Sequence, residues 1–83
     1  MDAKTYMITS PLMGTFYRSP SPEASPCVEV GHKVNTSDVV CVIESMKIFT
    51  ELRADQAGTV KRILAGDEDL VMKNQELIEI KIG

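Results

Sequence analysis

Val39-Val40-Cys41-Val42-Ile43-Glu44-Ser45-Met46-Lys47-Ile48 decides the reading of this chain. Five β-prone residues run into a polar break that holds Lys47, and a second β-prone run, 48–53, follows at once. Glu, Met and Lys make helix the competitor over 44–53, but the strength of the Val/Ile run before them favours two strands joined by a hairpin. A lysine at such a tip is held away from the body of the fold, where its amine is open to modification.

Working outward, further strand-like runs occur at 6–9, 28–30, 59–64 and 77–82, separated by Gly, Pro, Asn or Asp signals. The order is all β. In the last run Ile78, Ile80 and Ile82 alternate with Leu77, Glu79 and Lys81, the period of a strand with one face on a core.

The chain also matches itself. Ile8-Thr9-Ser10-Pro11-Leu12-Met13-Gly14-Thr15 resembles Leu52-Arg53-Ala54-Asp55-Gln56-Ala57-Gly58-Thr59 at an offset of 44, pairing Gly14 with Gly58. The stretch from Val34 to Ile43 matches that from Val71 to Ile80 at an offset of 37. The first half therefore carries seven extra residues between Gly14 and Val34, where Phe16-Tyr17-Arg18-Ser19-Pro20-Ser21-Pro22-Glu23-Ala24-Ser25-Pro26 lies. Three prolines fix φ and remove backbone donors, so this stretch is expected to project as a stiffened loop based on Phe16 and Tyr17. Two halves of about four short strands each, related by a pseudo-two-fold axis, predict two four-stranded antiparallel sheets in a flattened β-barrel or sandwich. Lys47 would lie at one end of it and the chain termini at the other.

Composition narrows the function. At 83 residues, with 43% hydrophobic and 25% charged side chains, the chain suits one domain, 1–83, burying roughly 60–65% of its unfolded surface. Nine basic against twelve acidic residues leave a charge of −3 and no basic face, which speaks against nucleic acid. No apolar run approaches the ~20 residues of a membrane-spanning helix, and Met1-Asp2-Ala3-Lys4 does not open a signal peptide. Cys27 and Cys41 lack metal-ligand spacing and read as reduced thiols. His32 has no partners for a catalytic triad and reads as an exposed turn residue, while Asp67-Glu68-Asp69 after Gly66 reads as a solvated turn without the spacing of a calcium loop. No reacting groups converge, so the chain is not expected to be an enzyme on its own.

At Ser45-Met46-Lys47-Ile48 the chain resembles the biotinyl, or biotin carboxyl carrier, domains, whose modified lysine follows a methionine. The resemblance extends through Ser10–Pro22, Val30-Gly31-His32-Lys33-Val34, Val42-Ile43-Glu44 and Ala54-Asp55-Gln56-Ala57-Gly58-Thr59-Val60. Its N-terminal segment looks like the "thumb" of carriers in multi-subunit acetyl-CoA carboxylases. Ser45 and Ile48 depart from the family's usual small apolar residue and second methionine.

The resemblance implies the hammerhead fold of biotinyl and lipoyl domains and biotin carried covalently on Lys47, flanked by Met46 and Ile48. It implies that Ser19 of the thumb contacts the ureido ring. Biotin protein ligase would attach the cofactor; biotin carboxylase and carboxyltransferase would then exchange a carboxyl group through it, supplying malonyl-CoA for fatty acid synthesis. The domain would be the C-terminal part of a longer carrier, in bacterial cytoplasm or plastid stroma. A lipoyl or H-protein-type carrier and an unmodified β-barrel interaction module, presenting Phe16, Tyr17 and the prolines, remain as alternatives.

Overall fold

Among the described residues eight strands form two sheets, and the two halves of the chain interleave rather than fold apart. A computed structural model describes residues 4–21 and 23–82. Pro22, as part of the proline-rich loop, and the N-terminal residues 1–3 lie outside these. The strands are β1 (Thr5–Thr9), β2 (Gly14–Tyr17), β3 (Lys33–Val34), β4 (Val39–Ser45), β5 (Ile48–Arg53), β6 (Gly58–Ile63), β7 (Leu70–Val71) and β8 (Glu76–Ile82). One sheet runs β1-β8-β6-β3 and the other β5-β4-β2-β7, with antiparallel pairing throughout.

Exchanging β1 with β5, β2 with β6, β3 with β7 and β4 with β8 turns one sheet order into the other, so each sheet draws strands from both halves. The repeat is therefore structural, and its hydrogen bonds repeat with it. Asn35 N–H donates to the Asp38 carboxylate, as Met72 N–H does to the Gln75 side-chain oxygen. Ser37 and Asn74, both at positive φ, donate N–H to the carbonyls of Ala54 and Ser10. Phe16 N–H reaches Asp69 O and Val60 N–H reaches His32 O, at the same two offsets. With His32 N–H on Glu29 O matching Asp69 N–H on Gly66 O, these pairs confine the seven extra residues to the segment 17–28.

Gly14 and Gly58 occupy equivalent close approaches. A Cβ on Gly14 would meet Glu44 O at 2.5 Å and Ile43 Cγ2 at 2.8 Å; one on Gly58 would collide with Lys81 O and meet Ile80 Cγ2 at 2.8 Å. Gly14 thus marks the hairpin end of β4, and Gly58 the C-terminal end of β8. Because β4 and β8 each run on from the other's end of the sandwich, Lys47 and the paired chain ends, where Ile82 N–H donates to Lys4 O, lie at opposite ends.

The two sheets close on Phe16, Ile43, Leu77, Ile78 and Ile80, all essentially without solvent contact. Each such side chain contributes about 1.5–3 kcal/mol relative to exposure. The arrangement is a sandwich rather than a closed barrel: β1 and β3 edge one sheet, β5 and β7 the other. The region 44–53 is strand and turn, not helix.

The expected strand at 28–30 is absent. Val28 packs into the core, but Val30 is exposed and the backbone turns, with His32 N–H bonded to Glu29 O and Gly31 N–H to Val60 O. Both cysteines are free thiols, Cys41 buried and Cys27 half-buried. Burial pushes the Cys41 thiol up to about 12.

Candidate functional site

β4 and β5 pair in register up to Ser45 and Ile48, leaving Met46 and Lys47 as a two-residue turn. Both residues have positive φ, 52° and 67°, which makes this a type I′ turn, the kind whose twist matches a hairpin. Such turns favour Asn-Gly; a methionine and a lysine here each hold a left-handed conformation that L-residues normally avoid at a cost of about 1 kcal/mol or more. The Glu44 side chain accepts the Lys47 backbone N–H at 3.0 Å and steadies the turn. Lys47 is exposed, and around it Met46 (91% exposed), Ile48 (68%) and Phe49 (62%) present apolar surface to solvent. Three exposed apolar residues thus border one lysine, with Ile48 and Phe49 on opposite faces of β5.

The extra residues fold over the outer face of the sheet beside this hairpin. Val42 points away from the core shared by Cys41 and Ile43, yet it is only 3% exposed. The loop is closed at its base by Cys27 N–H donating to Arg18 O and by the Arg18 Nη2 group donating to Val28 O at 3.2 Å. Arg18 N–H, in turn, donates to the Asp67 carboxylate at 2.9 Å. One residue thus ties both limbs of the loop to the turn before β7. Its Nε is buried with no partner among the described residues.

Between the loop and the sheet lies a cavity of about 450 Å³, lined by residues 19–21, Asp67, Glu68 and the rings of Tyr17 and Phe49, whose centroids are 6.4 Å apart. This volume is in the range of small-ligand sites. Phe49 is two residues along β5 from Lys47, about 7 Å at the rise of a strand.

Of the residues singled out from sequence, Lys47, Met46 and Ile48 come together on the hairpin, and Ser19 falls on the cavity wall. Phe49, Asp67, Glu68 and Glu44 were not anticipated. Asp67-Glu68-Asp69 is an exposed turn as expected, and no cluster of three metal-ligating side chains occurs among the described residues, but Asp67 and Glu68 also line the cavity. A signal for Glu68 existed in the repeat: at the offset of 37 it stands where the other half has Gly31, and both have positive φ. His32 is an exposed turn residue.

A family model described as "Biotin-requiring enzyme" matches residues 7–80. The biotin carboxyl carrier protein of acetyl-CoA carboxylase from Haemophilus influenzae is 47% identical over 76 residues, covering 92% of this chain and 49% of that protein. Its counterpart from Nostoc is 42% identical over 81 residues, covering 98% and 44%, and the chloroplastic one of Glycine max is 46% identical over 74 residues, covering 89% and 28%. The chain thus spans half or less of the length of these relatives.

Among solved structures, Kluyveromyces lactis urea carboxylase aligns with a TM-score of 0.77 and 25% identity over 96% of this chain and 6% of its own. A single-chain, multi-domain long-chain acyl-CoA carboxylase aligns with a TM-score of 0.81 at 18% identity over 98% and 7%, a likeness of fold. With the matched region reaching from β1 to β8 and across both interleaved halves, the chain belongs to the biotin-requiring enzyme family, the domains to which biotin or lipoate is attached.

Proposed function

We propose that Lys47 is the attachment point for biotin and that this protein is the carrier domain of an acetyl-CoA carboxylase. The observation that carries the reading is the strained Met46-Lys47 turn, held by Glu44 at the end of the sandwich remote from the chain ends. The relatives named as biotin carboxyl carrier proteins of acetyl-CoA carboxylase support the choice of cofactor and of assembly.

The local chemistry suits acylation. Lys47 is exposed and makes no ion pair among the described residues, so converting its ammonium to a neutral amide breaks no existing contact. No group in the hairpin is arranged to take the proton from its amine. The activated acyl group and the removal of that proton therefore fall to a biotin protein ligase, for which Met46, Ile48 and Phe49 offer exposed apolar contacts. Biotin supplies a ureido nitrogen that accepts and releases a carboxyl group.

The domain's own contribution is positional. Fixed to the body of a larger assembly by its far end, it offers the modified lysine alternately to a biotin carboxylase and a carboxyltransferase. A short flexible tether sustains local concentrations on the order of millimolar. Ser19, which lines the cavity together with Phe49, supports this reading by offering a hydroxyl for the ureido group. Relatives from a bacterium and from chloroplasts make the bacterial cytoplasm or the plastid stroma the proposed setting.

The test is intact mass after incubation with biotin, ATP and a biotin protein ligase, beside Lys47→Arg and a parallel lipoate ligase reaction. One biotinyl addition, absent from the variant and not matched by lipoate, is expected. A folded domain that takes lipoate and refuses biotin would make it a lipoyl carrier. One that takes neither would leave an interaction module.

A further inference from the structure

We infer that Asp67 and Glu68 make the cavity under the projecting loop accept the uncharged head group of biotin and reject it once it bears a carboxylate. The inference rests on Lys47 being the biotin site. The cavity is lined by the rings of Tyr17 and Phe49, by the hydroxyl-bearing Ser19 and Ser21, and by the acidic Asp67 and Glu68. Its lining holds two acidic and no basic side chains. The nearby Arg18 guanidinium is directed to Val28 O, on the far limb of the loop, and does not line the cavity.

The two carboxylates are held differently. Asp67 is fixed by the Arg18 N–H, whereas Glu68 has no side-chain hydrogen bond or ion pair among the described residues. The Glu68 backbone is anchored by its N–H to Phe16 O at 2.6 Å, in a left-handed conformation that its symmetry mate satisfies with Gly31. A solvated turn would be served as well by glycine. The glutamate instead brings a free acceptor to the cavity.

A ureido group presents two N–H donors and one carbonyl acceptor. The carboxylates of the lining suit the donors, and its hydroxyls suit the acceptor. Carboxylation of one ring nitrogen removes a donor and adds a negative charge facing Asp67 and Glu68. A like-charge contact at about 4 Å is worth roughly fivefold in bulk water and more where solvent is partly excluded. With two carboxylates, docking of the charged form is expected to weaken tenfold or more. The empty group would rest under the loop, and the loaded group would swing free for transfer.

The test is carried out on the biotinylated domain by ¹H–¹⁵N NMR, following the amides of Ser19, Ser21, Phe49 and Glu68. Three states are compared: unmodified, biotinylated, and biotinylated then carboxylated with biotin carboxylase, ATP and bicarbonate. In that reaction the ring nitrogen loses its proton and gains the carboxyl carbon, while the oxygen lost by bicarbonate leaves in phosphate. Biotinylation should shift these amides, and carboxylation should return them to their unmodified positions. The Asp67→Asn/Glu68→Gln double variant should retain the shifts after carboxylation, as should a domain carrying biotin whose ring nitrogen bears an uncharged methyl ester.

Equal shifts from the neutral and carboxylated groups in the unsubstituted domain would overturn the inference. So would a biotinylated domain with no shift at these amides, or a loss on carboxylation that persists in the double variant. Refusal of biotin by Lys47, read from the intact mass, would overturn the carrier assignment as well; a normal biotin adduct with any of the other failures would overturn the charge selection alone.

Discussion

Gly14→Ala and Gly58→Ala form a matched pair that tests both the fold and its link to Lys47. Each alanine methyl would be driven into the backbone carbonyl of a neighbouring strand, at 2.5 Å for Gly14 against Glu44 O, with Ile43 Cγ2 and Ile80 Cγ2 at 2.8 Å from the respective methyls. A backbone oxygen in a paired strand cannot rotate aside, so β2 must part from β4, or β6 from β8. Overpacking of this kind costs about 1–3 kcal/mol, and the ~0.4–1 kcal/mol that alanine recovers through the unfolded chain offsets only part. A net loss of about 1–2 kcal/mol lowers Tm by roughly 4–16 °C in a domain of this size.

Function should separate the two variants. Glu44 is the residue whose side chain holds the Lys47 N–H, whereas Lys81 leads only toward the chain end. Biotinylation kcat/KM, measured well below both melting temperatures, should fall for Gly14→Ala and stay near the unsubstituted value for Gly58→Ala. The chain has no tryptophan, so urea unfolding followed by far-UV circular dichroism gives the stabilities. A loss below about 0.5 kcal/mol in Gly14→Ala would refute the close approach. Equal slowing in both variants would refute the coupling through Glu44.

Three further outcomes are expected. Met46→Asn relieves a left-handed methionine that is 91% exposed and buries nothing, so it should raise stability by about 0.5–1 kcal/mol in urea melts while slowing the ligase, which loses an apolar contact. The hydrogen bond from the Arg62 guanidinium, at 2.6 Å, holds the Glu79 carboxyl below the usual carboxylate range, with Lys61 adding to the effect and burial opposing it. A carboxyl depressed in the fold stabilises above its unfolded value of about 4.3 and loses that contribution as pH falls through the folded value; Arg62→Gln should therefore lower Tm at pH 7 and converge with the unsubstituted protein in strong acid. Burial raises both thiols, Cys41 to about 12 and Cys27 less, so iodoacetamide at pH 8 should label Cys27 before Cys41 in the native protein and both readily in urea, as read by mass.

Much of the fold was legible because its halves repeat. The pairing of Gly14 with Gly58 and the change of offset from 44 to 37 predicted the pseudo-two-fold symmetry and the place of the insertion, but not that each sheet draws strands from both halves. Period alone did less well. The alternation of Ile78, Ile80 and Ile82 suggested one buried face, but Leu77 joins Ile78 and Ile80 in the core where the register with β1 shifts, and Glu79 is buried as the ion partner of Arg62. The two-residue strands β3 and β7 carry no pattern of their own; pairing with β6 and β2 defines them. The hairpin carrying Lys47 could be read because it is local in sequence. The cavity could not, since Tyr17, Phe49 and Asp67 meet only after the sheet has formed and the loop has closed on Arg18.

Symmetry also indicates where function was added. A pseudo-two-fold sandwich has two equivalent ends, and a fold that needed only stability would leave them alike. Here one end joins the neighbouring strands β1 and β8 near the chain termini, and the other closes on two residues in strained conformations. The seven extra residues lie beside that second end, as does Glu68 where the other half has Gly31. The departures have local costs: two left-handed residues in the turn, a third at Glu68, and a partly desolvated arginine at the base of the loop. None of them is needed to close the core formed by Phe16, Ile43, Leu77 and Ile80. Independent local costs gathered on one end of an otherwise repeated framework are what the proposed presentation of Lys47, with the cavity beside it, would require.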